Sequence, residues 1–363
     1  MIKIAVSASR KYNVIMDRGA LGRAGELFAD AGISGGRKKL CIVTDRNVAP
    51  LYGTEDGELW RSLTDAGFEL YRFVFEGGEK TKTLDTLADI LNFLADNRFT
   101  RSDMLVALAA ASSHVTGSQP PYLEASTPIP TTHGYSRFFD SGKTGVNLNA
   151  GKNLAGAFWQ PSLVMFDPNV LRTLSYDTTL DGIAEAVKSG FIGDRSIADD
   201  ISAHVPADKS FSEEGIDFLT QLAAKAVEVK RAVVEEDECE RPDSFQPGHT
   251  TPRSKCSDYS ISHGHAVAIG MTIVSAAADT LGWTEEKCTD RLLRILDQFR
   301  FPLQCPYSPE ELTAAALQDK KIRGDRITLV IPENQGSCTL KTIPTGELQQ
   351  FITCGLDALK TMQ

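Results

Sequence analysis

The sequence predicts an α/β amino-terminal half built on a parallel sheet and a mainly α-helical carboxyl-terminal half. Three observations predict it. Up to about residue 168, short apolar, strand-like runs alternate with stretches of helical apolar spacing, the pattern of strands joined by crossover helices. Beyond that point the segments lengthen and take helical periodicity almost throughout. The 363 residues are also enough to bury two cores rather than one.

In chain order, Met1–Met16 (MIKIAVSASRKYNVIM) alternates like a strand and lacks the apolar block of a signal peptide. Lys39–Thr44 (KLCIVT) reads as a buried strand running into Asp45-Arg46-Asn47. Phe68–Phe75 reads as a second strand that ends in EGGEKTK. Leu84–Asn97 has helical spacing, Met104–Leu108 is a third strand, and Ser162–Phe166 is the last. In parallel sheets ligands bind beyond the carboxyl ends of the strands, where Asp45, Asn47, Gly78 and Glu79 would fall. On composition alone these residues are equally well polar turns.

The second half reads as helices over Tyr176–Ile192, Phe211–Glu236, His263–Trp283 and Thr284–Phe299. Ser308-Pro309-Glu310-Glu311 is a capping-box start with proline at the first helical position. Arg326–Ile331 and Cys338–Ile343 predict a small hairpin before a final helix. The domain boundary is placed near Pro168, giving domains 1–168 and 169–363.

Composition is that of an ordinary globular protein, 42% hydrophobic and 24% charged. No apolar run approaches the length of a membrane span. A net charge of −10 argues against nucleic acid as a partner. The seven cysteines are scattered without a CxxC pair, as expected for reduced thiols of a cytoplasmic protein.

Asp140–Asn153, DSGKTGVNLNAGKN, places Lys143 and Lys152 nine residues apart in what composition reads as a loop. Glycine permits close backbone approach and lysine supplies a point charge, so the stretch suits a phosphorylated, carboxylated small molecule. A solvated basic loop has the same composition. Glu185 and Lys188, three apart in GIAEAVKSGF, share a helix face among small and apolar neighbours. Three of the six histidines, His249, His263 and His265, fall close together further on.

GKTGVN, GKN and GAFWQP resemble the signature of the 3-dehydroquinate synthase family, within the sugar-phosphate cyclase superfamily. VTDRNVAPLY, EGGEKTKTL, PTT, TLSYDTTLDGIAEAVKSGFI, VKRAVVEEDE, GHT, HGHAVAIGM and DKKIRG extend the match, in order, over nearly the whole chain. The resemblance implies a Rossmann-like NAD-binding domain, an α-helical metal- and substrate-binding domain, and an active site in the cleft between them. It assigns NAD to Asp45, Asn47, Gly78, Glu79, Lys82, Thr131, Thr132, Lys143, Lys152, Leu171 and Thr173. Catalysis and substrate binding go to Lys143, Lys152, Asn153, Lys188, Lys230 and Lys320. A divalent metal, zinc or cobalt, goes to Glu185, His249 and His263. One carboxylate and two imidazoles would leave coordination positions open for substrate oxygens. The family's HGE is His263-Gly264-His265 here, so His265 competes with His263 as ligand.

The implied reaction is a lyase reaction of the shikimate pathway, towards the aromatic amino acids. NAD oxidises a ring hydroxyl of 3-deoxy-D-arabino-heptulosonate 7-phosphate, the neighbouring C–H becomes acidic and phosphate is eliminated. Reduction and aldol closure then give 3-dehydroquinate. A cytoplasmic homodimer acting on a small phosphorylated keto acid is expected, with neither membrane nor nucleic acid as partner. Another sugar-phosphate cyclase, or a family member that keeps the scaffold without turning over NAD, is the alternative.

Two segments depart from the family pattern. The phosphate-cradling GGGVxxD is AAASSHV at Ala109–Val115, and alanine forbids the close approach that glycine allows. In 241–256, the family's asparagine and second histidine fall at Gln246 and Arg253, and its arginine is matched nearest by Arg241. The codons of GGGVV, shifted by one base, can encode AAASS. Likewise those of HGYSRFF at His133–Phe139, shifted by one base, can encode the family's MAIVDSS. Local frameshifts or misplaced splice boundaries would account for both ends of Ala109–Phe139.

Overall fold

The computed structural model describes residues 1–36, 38–109, 123–128, 143–148, 151–158, 160–203, 212–236, 261–301, 303–317 and 324–362. The chain divides into two compact units. The first comprises Met1–Leu174, Ile216–Thr220 and Arg231–Cys239, and the second Ser175–Gly215, Gln221–Lys230 and Glu240–Gln363. The first unit therefore runs past Pro168 and takes back two stretches of a later helix.

The strands of the first unit are β1 (Ile2–Ser7), β2 (Lys11–Met16), β3 (Lys39–Asp45), β4 (Glu69–Phe75), β5 (Met104–Ala109), β6 (Leu123–Pro128), β7 (Lys143–Leu148), β8 (Gly151–Phe158) and β9 (Leu163–Phe166). Seven of them form one sheet in the order β1-β2-β9-β6-β5-β3-β4. All neighbours are parallel except β1, which runs antiparallel to β2. The opening segment, expected as a single strand, is a hairpin that pairs Ile2 with Met16. Ala8-Ser9-Arg10 interrupts its alternation. Central β3 is flanked on both sides, and its Leu40, Cys41, Ile42 and Val43 are all buried, as a continuous apolar run requires.

Among the described residues before β6 lie the helices α1 (Ala24–Asp30), α2 (Ala49–Tyr52), α3 (Glu58–Asp65) and α4 (Leu84–Asp96). Thr83 caps α4 by accepting the Thr86 N–H, at 3.3 Å. Ile90 and Leu94 of α4 pack on Cys41, Val43, Phe75 and Leu105, covering one face of the sheet. Gly25 lets α1 lie against α3, because a Cβ there would sit 2.4 Å from the Ser62 carbonyl oxygen.

The second unit holds α5 (Tyr176–Ile192), α6 (Arg195–Ala203), part of α7 (Glu213–Glu236), α8 (His263–Thr280), α9 (Thr289–Gln298), α10 (Pro309–Ala316) and α11 (Leu348–Met362). Its hairpin, β10 (Arg326–Asn334) with β11 (Ser337–Pro344), packs Ile327, Leu329 and Ile331 into a core with Ile273 of α8 and Phe351 of α11. The Ser308–Glu311 capping box forms with both of its hydrogen bonds. The helix expected from Thr284 begins at Thr289 instead. The Glu285 and Glu286 N–H groups are donated to the Glu333 carbonyl at the end of β10, and Asp279 accepts from Thr284, Cys288 and Thr289. The Cys288 and Thr289 N–H groups, which an earlier turn would direct to the carbonyls of Thr284 and Glu285, are thereby taken by Asp279. No helix among the described residues is long and apolar enough to cross a membrane.

Candidate active site

The parallel strands bring their carboxyl ends to one edge of the sheet. Chain order sends β3 outward to β4 and then back to β5 on its other side, so the topological switch lies between β3 and β5. Ligands of open α/β sheets bind at such a point. Asp45 ends β3, with Asn47 two residues on, and Gly78 follows the end of β4. Ala109 ends β5, and Leu171 and Thr173 lie in the short helical stretch Pro168–Thr173 after β9.

Each of these residues has a defined local role. Asp45 is buried, and its Oδ1 accepts the Asn47 N–H at 2.8 Å and the Val48 N–H at 3.1 Å. That carboxylate therefore shapes the turn that presents Asn47. Gly77 and Gly78 both have positive φ, +83° and +88°, a region that side chains disfavour. A Cβ on Gly77 would lie 2.9 Å from that of Asp45, whereas one on Gly78 would meet nothing within 4 Å. The connection thus closes over Asp45, while among the described residues nothing lies where a Gly78 side chain would begin. The Thr44 hydroxyl beside them is buried without a hydrogen-bond partner among the described residues. Leu171 is fully buried, backbone and side chain alike. Thr173 donates its hydroxyl to the Val170 carbonyl and hydrogen-bonds the Tyr52 hydroxyl at 2.8 Å.

The lysine-bearing stretch is not the loop its composition suggests. Lys143 and Thr144 lie on β7, and Lys152 and Asn153 on β8, antiparallel strands pairing Lys143 with Phe158 and Val146 with Ala155. Val146 is 1% exposed within the cluster of Cys41, Phe75, Ile90 and Leu94, which pins the hairpin to the sheet. The Asn147 N–H donates to the Lys82 carbonyl at 2.7 Å. Lys82 is itself buried, an uncommon place for a lysine. The hairpin that carries Lys143 and Lys152 is therefore tied to the β4–α4 connection that carries Gly78 and Lys82.

In the second unit, Glu185 and Lys188 form an ion pair on α5, their side chains 0% and 4% exposed. His263 is the first residue of α8, and Ser262 is its N-cap. The first turn of α8 rests on α5. A Cβ on Gly264 would lie 2.2 Å from Asp181 Cα and 2.6 Å from the Asp181 carbonyl oxygen, and Asp181 is one helical turn ahead of Glu185. Lys230, on α7, is half-buried.

Thr131, Thr132, His249 and Lys320 lie outside the described residues, as do Arg241, Gln246 and Arg253. Glu79, Lys143, Lys152, Asn153 and His263 are described by their backbone alone. Sequence reasoning passed over Asp181, Gly77 and Tyr52. The first sits four residues before Glu185 on a helix, and that spacing was a usable signal. The switch point of the sheet offers a place for a dinucleotide, and of the assigned metal ligands Glu185 alone has a described side chain. Two glycines of positive φ and a buried Thr44 hydroxyl without a hydrogen-bond partner among the described residues sit at the switch point of the sheet. A deeply buried carboxylate lies one turn beyond the place where the histidine-bearing helix is locked down.

The profile of the 3-dehydroquinate synthase N-terminal domain matches residues 129–181, and that of the 3-dehydroquinate synthase C-terminal domain residues 182–322. A 3-dehydroquinate synthase of Streptococcus sanguinis is 32% identical over 357 residues, covering 94% of this chain and 96% of that one. Among solved structures, 2-epi-5-epi-valiolone synthase from Streptomyces hygroscopicus subsp. jinggangensis, with NAD+ and Zn2+ bound, superposes with a TM-score of 0.82 at 22% identity over 100% of both chains. 2-Deoxy-scyllo-inosose synthase, complexed with carbaglucose-6-phosphate, NAD+ and Co2+, superposes with a TM-score of 0.77 at 19% identity, covering 97% of this chain and 99% of that one.

Proposed function

The chain belongs to the 3-dehydroquinate synthase family, and from that premise we propose that it converts 3-deoxy-D-arabino-heptulosonate 7-phosphate to 3-dehydroquinate and inorganic phosphate. It is an NAD- and divalent-metal-dependent lyase acting on a small phosphorylated substrate. The observation that carries the reading is the shared carboxyl edge of the sheet. There the Asp45–Asn47 turn, Gly77-Gly78, buried Lys82 and the β7–β8 hairpin are joined by hydrogen bonds and a common core.

When bound, NAD would supply reversible hydride acceptance and a divalent metal would supply Lewis-acid polarisation of substrate oxygens. The residues of the chain bind and orient. Asn47 and Gly78 receive the adenosine half of the dinucleotide, with Leu171 and Thr173, and Glu79, Thr131 and Thr132 complete that set. Glu185, His249 and His263 hold the metal. Lys143, Lys152, Asn153, Lys230 and Lys320 hold carboxylate, phosphate and hydroxyls. Against a net charge of −10, these local cations supply the attraction an anionic substrate needs. Lys188 is held beside Glu185 in a buried place. Fixing the flexible substrate in one orientation is the larger part of the rate gain.

We assign residues 1–168 to dinucleotide binding and 169–363 to metal and substrate binding, in a cytoplasmic homodimer. Expression in a bacterium lacking its own 3-dehydroquinate synthase tests the function. Growth without aromatic amino acids is expected, and failure to grow despite soluble full-length chain would overturn the proposal.

A further inference from the structure

The first turn of α8 is held by contacts that the metal assignment alone does not require. Asp181, on α5, is 4% exposed. Its Oδ1 accepts the Ser262 hydroxyl and, at 3.3 Å, the His265 N–H. Ser262 Oγ in turn accepts the same His265 N–H at 3.3 Å. One carboxylate oxygen and one hydroxyl therefore close on a helix end whose N–H groups have no partner within the helix. The negative charge also lies at the favourable end of the helix dipole. Immediately after His263, Gly264 brings the α8 backbone onto Asp181 itself, with a clearance that no Cβ could enter. His263 is thus flanked by Ser262 and Gly264, each fixed against one residue.

We infer that Asp181 is a positioning residue of the metal site: its carboxylate and backbone latch the first turn of α8, setting where His263 stands relative to Glu185 one turn further along α5. The inference rests on the assignment of Glu185, His249 and His263 to a divalent metal. Asp181 touches neither substrate nor metal in this role. It acts through the helix that carries a ligand, as partners behind metal ligands commonly do.

The test is metal affinity rather than turnover. The purified full-length chain and its Asp181→Ala, Asp181→Asn and Ser262→Ala variants are titrated with zinc against a chromophoric chelator. The visible spectra of their cobalt(II) forms and the melting of their metal-free forms are recorded alongside. Asp181→Ala is expected to bind zinc about 10–100-fold more weakly, with a changed cobalt spectrum. Asp181→Asn keeps the acceptor oxygen and is expected to restore most of the affinity and the parental spectrum. Ser262→Ala, which leaves the α5 carboxylate in place, is expected to weaken zinc binding by about tenfold. It carries the test if Asp181→Ala does not fold. Parental affinity and an unchanged cobalt spectrum in both alanine variants would overturn the latch while leaving the metal assignment standing. A parent chain that binds neither zinc nor cobalt would overturn the metal assignment, and the latch with it.

Discussion

Replacing Lys188 with alanine isolates the most demanding electrostatic element of the second unit. Lys188 and Glu185 are almost completely buried, 4% and 0% exposed, and form an ion pair three residues apart on α5. Removing one partner of a buried pair leaves a charge without its counter-ion, which costs about 3–5 kcal/mol. At about 2–4 °C per kcal/mol for a unit of this size, melting of the metal-free variant should fall by about 10 °C. Zinc should then rescue the variant more than it stabilises the parent, because the ion replaces the lost positive charge beside Glu185. A ligand at a hundred times its dissociation constant adds about 2.7 kcal/mol to any protein that binds it, so the extra recovery is measured above that baseline. Urea unfolding of both proteins, with chelator and with zinc, is the assay. A loss below about 1 kcal/mol in chelator, with equal zinc effects on both, would show that the pair does not carry the buried charge as argued.

Three further outcomes follow from the same geometry. Val146→Ala removes two methyl groups from a fully packed cluster and should cost about 2–3 kcal/mol, read as a lower urea midpoint together with a raised KM for substrate. Cys41 and Cys288 are buried, and burial pushes both thiols up to about 12. They should therefore resist alkylation at pH 8 in the native chain and react only after denaturation, and mapping the modified peptides checks this. The reading-frame account of Ala109–Phe139 predicts that a transcript sequenced across that region encodes the family's glycines, and a transcript encoding the chain as it stands would remove it.

What the sequence made legible was what local pattern controls. The unbroken apolar run of β3 announced a strand buried on both faces, and the Ser308–Glu311 box announced a helix start, since both signals lie within a few residues. The β7–β8 hairpin was hidden because glycine and asparagine dominate it. Among the described residues, its hold on the sheet includes the buried Val146, whose core partners lie as far back as Cys41. The late start of α9 was equally unreadable, for the carboxylate that takes the Cys288 and Thr289 N–H groups belongs to Asp279 of the preceding helix. At the site, the Glu185–Lys188 pair was visible as helix spacing. The grip of Asp181 on Ser262 joins residues 81 apart in sequence, and no local pattern predicts such a contact.

The central claim is tested most directly by phosphate release from 3-deoxy-D-arabino-heptulosonate 7-phosphate by the purified chain, supplied with NAD and zinc or cobalt. The account predicts release that stops when a chelator is added and is absent in Glu185→Gln. A folded chain that loads NAD and metal yet releases no phosphate from this substrate would contradict it.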